Sequence, residues 1–278
     1  MSGGESVGPG DKVGTHQEDL SVPTDQVRRL GPLECDDLAR ALGDTPKTVI
    51  AVHLLRRGMC TAYAVGDPGC HDGVVVQPTS LPEEPMAYGT DAGAIWQVLA
   101  DLSGWACISV EGEVAGRLGP IMEAHTGRPV RYIDDIHHTL DHPAIRSDHT
   151  GVRSLKRDDL DLLASAPTEI RELALGFGSL DDLFAEGVAA GAVIDGGLVA
   201  LACTTAQSLR HADLSVVTAG PWRGRGLATA CAALVAEEIR RAGRVPVWSA
   251  GEQNAASLRV ARKLGFEEVG RRVYIIPL

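Results

Sequence analysis

No stretch of this chain approaches the roughly 20 consecutive apolar residues needed to cross a bilayer, so the sequence offers no membrane span. The first twenty residues lack the basic-then-apolar layout of a secretion signal. A cytoplasmic protein with no membrane partner is the expectation. The six cysteines (Cys35, Cys60, Cys70, Cys107, Cys203, Cys231) include no C-x-x-C pair and no zinc-ligand spacing. That pattern argues against a metal and for buried free thiols in a reducing compartment. Cationic residues are in deficit: 26 Lys and Arg against 37 Asp and Glu leave a net charge of -11, which argues against nucleic acid as a partner. The phosphate-loop pattern G-x-x-x-x-G-K-S/T is missing, and the main glycine loop is no dinucleotide fingerprint.

What is present reads as two α/β modules. At 278 residues, 44% of them hydrophobic, the chain can bury a core as one large domain or two ordinary ones. Residues 1–28 carry almost no periodic apolar pattern and read as a disordered leader. Residues 29–150 form the first, smaller module. The spacing predicts a helix over 33–42, strands over 48–54, 60–65 and 73–77, and a helix from the N-cap Asp91 to about Leu102. A strand over 106–110, a helix over 111–125 and a strand over 130–133 follow. Residues 134–151, rich in Asp, His, Pro and Thr, read as a linker.

Residues 152–278 form the second module. A strand over 152–155 and helical pieces over 158–163 and 180–185 lead to apolar runs at 191–194 and 198–203. These runs flank Asp195-Gly196-Gly197, a hairpin signal. A strand over 213–218 runs into the loop Arg223-Gly224-Arg225-Gly226-Leu227-Ala228. An alanine-rich helix to 242, a strand over 245–249, a helix over 254–264 with Asn254 as N-cap, and a last strand or two complete the chain. A glycine-bent loop that opens a helix gathers backbone N–H groups into an anion site. Glycine allows the bend and the close approach, and arginine suits phosphate oxygens. On spacing alone, the same loop also reads as a plain strand-to-helix turn with solvated arginines.

The loop resembles the acetyl-CoA loop of the GCN5-related N-acetyltransferases (GNAT), Gln/Arg-x-x-Gly-x-Gly/Ala, with Arg223, Gly226 and Ala228 at the matching positions. Downstream, Asn254, Ser257, Lys263, Gly265 and Phe266 match N-x-x-A/S-x-x-L-Y-x-K-x-G-F, with Val260 replacing the leucine. The resemblance covers about residues 152–278 and implies an α/β (α+β) fold, a mixed sheet flanked by helices. It implies acetyl-CoA, or another acyl-CoA, as co-substrate. The N–H groups of 223–228 would hold the pyrophosphate, while Val216, Val217, Thr218 and Asn254 would hold the pantetheine arm. It also implies an enzyme that passes the acyl group to a primary amine, expected on a small molecule, by direct attack on the thioester. A catalytically silent acyl-CoA-binding protein and a larger or carrier-bound acyl donor are the alternatives. The sequence sets no oligomeric state.

Such a reaction needs a neutral amine and so a base. Many GNAT proteins place a Glu on the strand before the loop, about ten residues ahead of its arginine, and Asp213 stands ten before Arg223. Period-two alternation puts His211 on the same face. Asp213 is the expected base and His211 its partner or substitute, against an exposed strand end as the plain reading; Glu252 is a third candidate. The tyrosine with which many relatives protonate the leaving thiolate is Ala261 here, leaving water or Tyr274 as acid. The histidine-rich stretch 134–142 reads as polar surface and Glu83-Glu84 as a solvated loop. The element order over 60–133 is similar to the later part of a GNAT fold whose cofactor loop has been lost. The first module is therefore expected to be a degenerate GNAT-like repeat that shapes the acceptor pocket.

Overall fold

The computed structural model describes residues 27–66, 72–145 and 149–278. The leader expected over 1–28 lies outside the described residues up to 26, and Val27 and Arg28 belong to a strand. The first half runs β1 (Val27–Arg29), α1 (Pro32–Leu42), α2 (Val49–Arg57), β2 (Cys60–Val65), β3 (Val74–Pro78) and β4 (Met86–Tyr88). It continues with α3 (Ala92–Asp101), β5 (Ile108–Val110), α4 (Gly112–Thr126) and β6 (Val130–Thr139). The second half runs β7 (Val152–Ser154), α5 (Leu160–Ala164), α6 (Thr168–Leu175), α7 (Leu180–Glu186), β8 (Ala189–Ile194) and β9 (Gly197–Gln207). It ends with β10 (His211–Thr218), α8 (Leu227–Arg241), β11 (Val245–Gly251), α9 (Ala255–Leu264) and β12 (Glu267–Pro277).

Among the described residues, twelve strands form one sheet, in the order β1-β2-β3-β4-β5-β12-β6-β11-β10-β9-β8-β7. Exchanging each strand for its counterpart in the other half turns this order into its own reverse. The two parallel pairings, β4 with β5 and β10 with β11, are counterparts as well. The halves are thus two copies of one layout joined at the centre. Each copy lends its last strand to the other: β12 pairs with β5, and β6 pairs with β11. Neither half completes its sheet alone. Helices α3 and α4 bury Ile95, Leu99, Leu118 and Met122 in the first half, and α8 and α9 bury Val235, Ile239 and Leu264 in the second.

Arg272 of β12 shows how the exchange is held. It is 2% exposed, and every partner recorded for it is a group of the other half. It donates to Ser109 Oγ at 3.0 Å, to the carbonyls of Ala87 and Ser109 at 2.8 and 2.9 Å, and to Glu111 at 3.2 Å. Its guanidinium also lies over the Tyr88 ring, 4.5 Å from the centroid. A planar cation with five donors suits this crowded site, where a lysine could not satisfy so many acceptors.

Two expectations fail. Residues 49–54 of the strand expected over 48–54 are helical instead, forming the start of α2 with Thr48 as its N-cap. Val49, Ala51, Val52, His53, Leu54 and Leu55 are all buried, because α2 packs against its own sheet and also against β9 and β10. A short apolar run bounded by turn residues reads equally well as a buried strand or a buried helix segment. The linker expected over 134–151 does not begin at 134. Residues 134–139 continue β6, bonded on one side to β11 and on the other to β12. Asp135, His137, His138 and Thr139 are buried there, polar residues in a central strand. Residues 146–148 lie outside the described residues.

Candidate active site

Strands β10 and β11 pair in parallel only from His211–Asp213 to Val245–Val247. Beyond that point they part, and a cleft of about 630 Å³ opens between them. Val216, Val217 and Thr218 line one wall, and Trp248 and Ser249 the other. Arg223, Gly224, Arg225, Gly226, Leu227 and Ala228 border the cleft together with Asn254 of the next helix start. All ten residues expected to hold the co-substrate are therefore brought to one cleft. Ser257, Arg259 and Lys263 of α9 join them; only Ser257 and Lys263 had a sequence signal, within the downstream pattern.

Local backbone chemistry explains the loop. Gly224 and Gly226 have φ of +77° and +81°, a region costly to any residue with a Cβ, and open space surrounds both. Gly226 is the N-cap of α8 and supplies no side-chain acceptor, so the first-turn N–H groups face the cleft uncapped. The counterpart helix α3 differs. Asp91 caps it, and Asp91 Oδ1 accepts from the N–H groups of Gly93 and Ala94 at 2.8 and 3.1 Å. The first half fills its own anion site with a carboxylate; the second leaves its site open. Arg223 donates from Nε to the Thr218 carbonyl at 3.1 Å, and Arg225 lies over the Trp222 ring at 4.6 Å. Asn254 caps α9 through Ser257 N at 3.1 Å.

Asp213 sits where the strands begin to part, 4% exposed. A β-bulge in β9 at Thr205 interrupts the register between Asp213 and Leu214, and such bulges re-aim side chains next to functional sites. Thr205 Oγ1 donates to Asp213 Oδ2 at 2.6 Å, whereas Asp213 Oδ1 has no hydrogen-bond partner among the described residues. Burial pushes the carboxyl up to about 7, the hydrogen bond from Thr205 and the charge of His137 opposing and the Asp135 charge reinforcing the rise.

His211, expected as the partner or substitute of Asp213, is engaged elsewhere. Its Nδ1 lies 2.6 Å from Asp44 Oδ1, and Asp44 also accepts from Ser208 Oγ and from the Arg210 N–H. The imidazole thus joins the two halves. The histidine whose charge Asp213 feels is His137, reached across the sheet from the supposed linker. Glu252 is spent on β6, accepting from Asp134 N at 3.4 Å and donating its own N–H to the Asp134 carbonyl. Burial, with Asp135 and Glu84 nearby, holds the Tyr274 hydroxyl far above its usual range, which makes it a poor acid. Ala261 is fully buried in the α8–α9 core. Burial raises Cys203 and Cys231 to about 12, so neither is a thiolate nucleophile. Glu84, expected to be a solvated loop acid, is half-buried and raised by burial, with Glu83 and Asp135 adding to the rise. Among the described residues, no group of three or more His, Cys, Asp or Glu side chains is placed to hold a metal, and no helix is long and apolar enough to cross a membrane.

The sequence model of the GNAT acetyltransferase family matches residues 138–274. No curated protein matches the sequence. Among solved structures, the chain is similar to a GCN5-related N-acetyltransferase-like protein from Streptococcus suis, with a TM-score of 0.66, 18% identity, and coverage of 88% of this chain and 99% of that one. It is similar to a GCN5-related N-acetyltransferase from Sphaerobacter thermophilus (TM-score 0.54, 19% identity, 90% and 94% covered). A tandem GNAT protein from the clavulanic acid biosynthesis pathway is also similar (TM-score 0.54, 17% identity, 90% and 98% covered). At these identities the likeness is one of fold, and it spans both halves. Residues 138–274 are a domain of the GNAT acetyltransferase family, and the chain is an N-acetyltransferase built from two GNAT-like halves.

Proposed function

We propose that the chain transfers an acetyl group from acetyl-CoA to a primary amine of a small molecule, by direct attack of the amine on the thioester. The observation that carries this reading is the uncapped start of α8, with Gly224 and Gly226, opening onto the cleft between the parting strands. These groups fit a CoA. Two backbone bends free of side chains and a helix N-terminus suit a pyrophosphate, and Arg223 and Arg225 add charge. Thr218 Oγ1, buried without a hydrogen-bond partner, and the unpaired edge of Val216 to Thr218 suit an amide-bearing arm. Asn254 stands at the same rim.

Bound acetyl-CoA supplies an activated acyl group and a thiolate leaving group, whose pKa of roughly 8.5 lets it depart unprotonated. Asp213, near 7, changes charge close to neutral pH and accepts the amine proton. A second reading, a silent acyl-CoA-binding protein, draws on the apolar, buried Ala261 where an acid is usual. Free thiol released from acetyl-CoA across an amine panel separates the two. Release that depends on both substrates is expected; tight CoA binding with no release from any amine refutes transfer. Longer acyl-CoAs in the same assay test the donor.

A further inference from the structure

Strand β6 carries the first half to the wall of the second half's cleft. His137 pairs in register with Ser249 of β11, a cleft residue, and its other flank faces Gly270 of β12, which has no side chain. His137 is 3% exposed, and neither ring nitrogen has a hydrogen-bond partner among the described residues. Nε2 lies 3.3 Å from Asp135 Oδ2 without hydrogen-bond geometry. Asp213 Oδ1, close enough for the two charges to act on each other, is also unpartnered. Each buried polar atom left unsatisfied costs about 1–3 kcal/mol. Two whose charges act on each other, on strands that border the cleft, point to a ligand that satisfies both. His137 lies one residue ahead of the stretch that matches the family model, so nothing in that match assigns it.

The chemistry of the transfer, on whose reading this inference rests, gives them a task. An amine arrives as R–NH₃⁺. One proton must leave before the nitrogen lone pair is free. A second leaves as the N–C bond forms and the C–S bond breaks, releasing CoA thiolate. One of the two protons can end on the thiolate and the other reaches solvent, yet both first depart from a single nitrogen. A lone carboxylate holds one proton at a time. We propose that His137, delivered by the first half, is a second proton acceptor for the amine, acting beside Asp213 with Asp135 behind it. The active site is then assembled from both halves, and the repeat that lost its own anion site survives as a donor of catalytic groups. Arg272, Tyr274, Glu84, Cys107, Cys203 and His138 are further titratable groups around this seam and remain unchanged in the test.

The test is His137→Gln in the full-length protein, followed by thiol release from pH 5.5 to 9 and by CoA affinity. The expected result is a loss of kcat of about 10²-fold or more, with KM for acetyl-CoA and the melting temperature close to wild type, and a pH profile reduced to the Asp213 limb. A loss that is uniform at every pH marks a structural role and overturns the proposal. Wild-type kcat and profile in His137→Gln, with Asp213→Asn inactive, overturn it too and leave acetyl transfer standing. Absence of thiol release in the wild type refutes both. If His137→Gln does not fold, the wild-type profile decides: a kcat that rises with pH through two deprotonations is expected, and a rise through a single deprotonation overturns the proposal.

Discussion

Asp213→Asn separates activity from stability in a way that follows directly from the burial of the carboxyl. In the unfolded chain Asp213 ionises near 3.8; in the folded protein it holds its proton up to about 7. Below pH 4 both states carry the proton and the group contributes nothing to the pH dependence. Between about 4 and 7 the unfolded chain has lost a proton that the folded protein keeps, so stability falls as pH rises, by about 1.4 kcal/mol per pH unit. Above 7 both states are ionised and the loss levels off. The gap of roughly three pH units amounts to about 4 kcal/mol, an order-of-magnitude figure. Asparagine does not titrate, and it can still bond Thr205 Oγ1. Relative to wild type, Asp213→Asn is expected to gain stability steadily from pH 4 to 7 while losing most of its turnover. Urea unfolding of both proteins from pH 4 to 8.5 measures the difference, and His137 and Asp135, present in both, largely cancel. Parallel curves, offset by a constant at every pH, would refute the claim that Asp213 is buried with a raised pKa.

Two further substitutions test the remaining assignments. Ala228→Glu places an anion in the first turn of α8, which suits the helix dipole and leaves the fold intact, but it opposes a pyrophosphate. CoA affinity by calorimetry is expected to fall at least about 10-fold with an unchanged melting temperature, and unchanged affinity rejects the loop as the phosphate site. Asp44→Ala unpairs His211, Ser208 and the Arg210 N–H at the junction of the halves. It is expected to cost about 1–3 kcal/mol of stability while kcat stays near wild type; a loss of kcat in the folded variant would restore His211 to the chemistry.

Local signals were legible wherever a residue's own backbone demands explain it. Asp195 and Gly196, at φ of 51° and 78°, turn the β8–β9 hairpin that their sequence announces. Asp91, Asn254 and Gly265 cap the helices they were expected to cap. Gly224 and Gly226 bend the loop as glycines can. Signals failed where the surroundings set the outcome. Val49 to Leu55 looks like a strand because a short apolar run does not by itself tell a buried helix from a buried strand. Asp135 and His137 look like linker because a buried polar strand at the seam of two repeats reads as solvated chain. His211 shares a face with Asp213 by alternation, yet Asp44 from the other half claims it.

The sequence by itself determined most elements of the second half, though not α6, and the loop from Arg223 to Ala228, because glycine dihedrals, caps and hydrophobic spacing are properties of short segments. Only the tertiary structure decided which half supplies which strand, where Asp135 and His137 lie, and how deeply Asp213 is buried. Those depend on strand exchange at the centre of the sheet, a pairing between residues about a hundred or more positions apart, as in Trp248 with His138 and Tyr274 with Ile133. The electrostatics of the site arise from that pairing: a carboxyl shifts to about 7 only once another half's strand has closed the sheet around it.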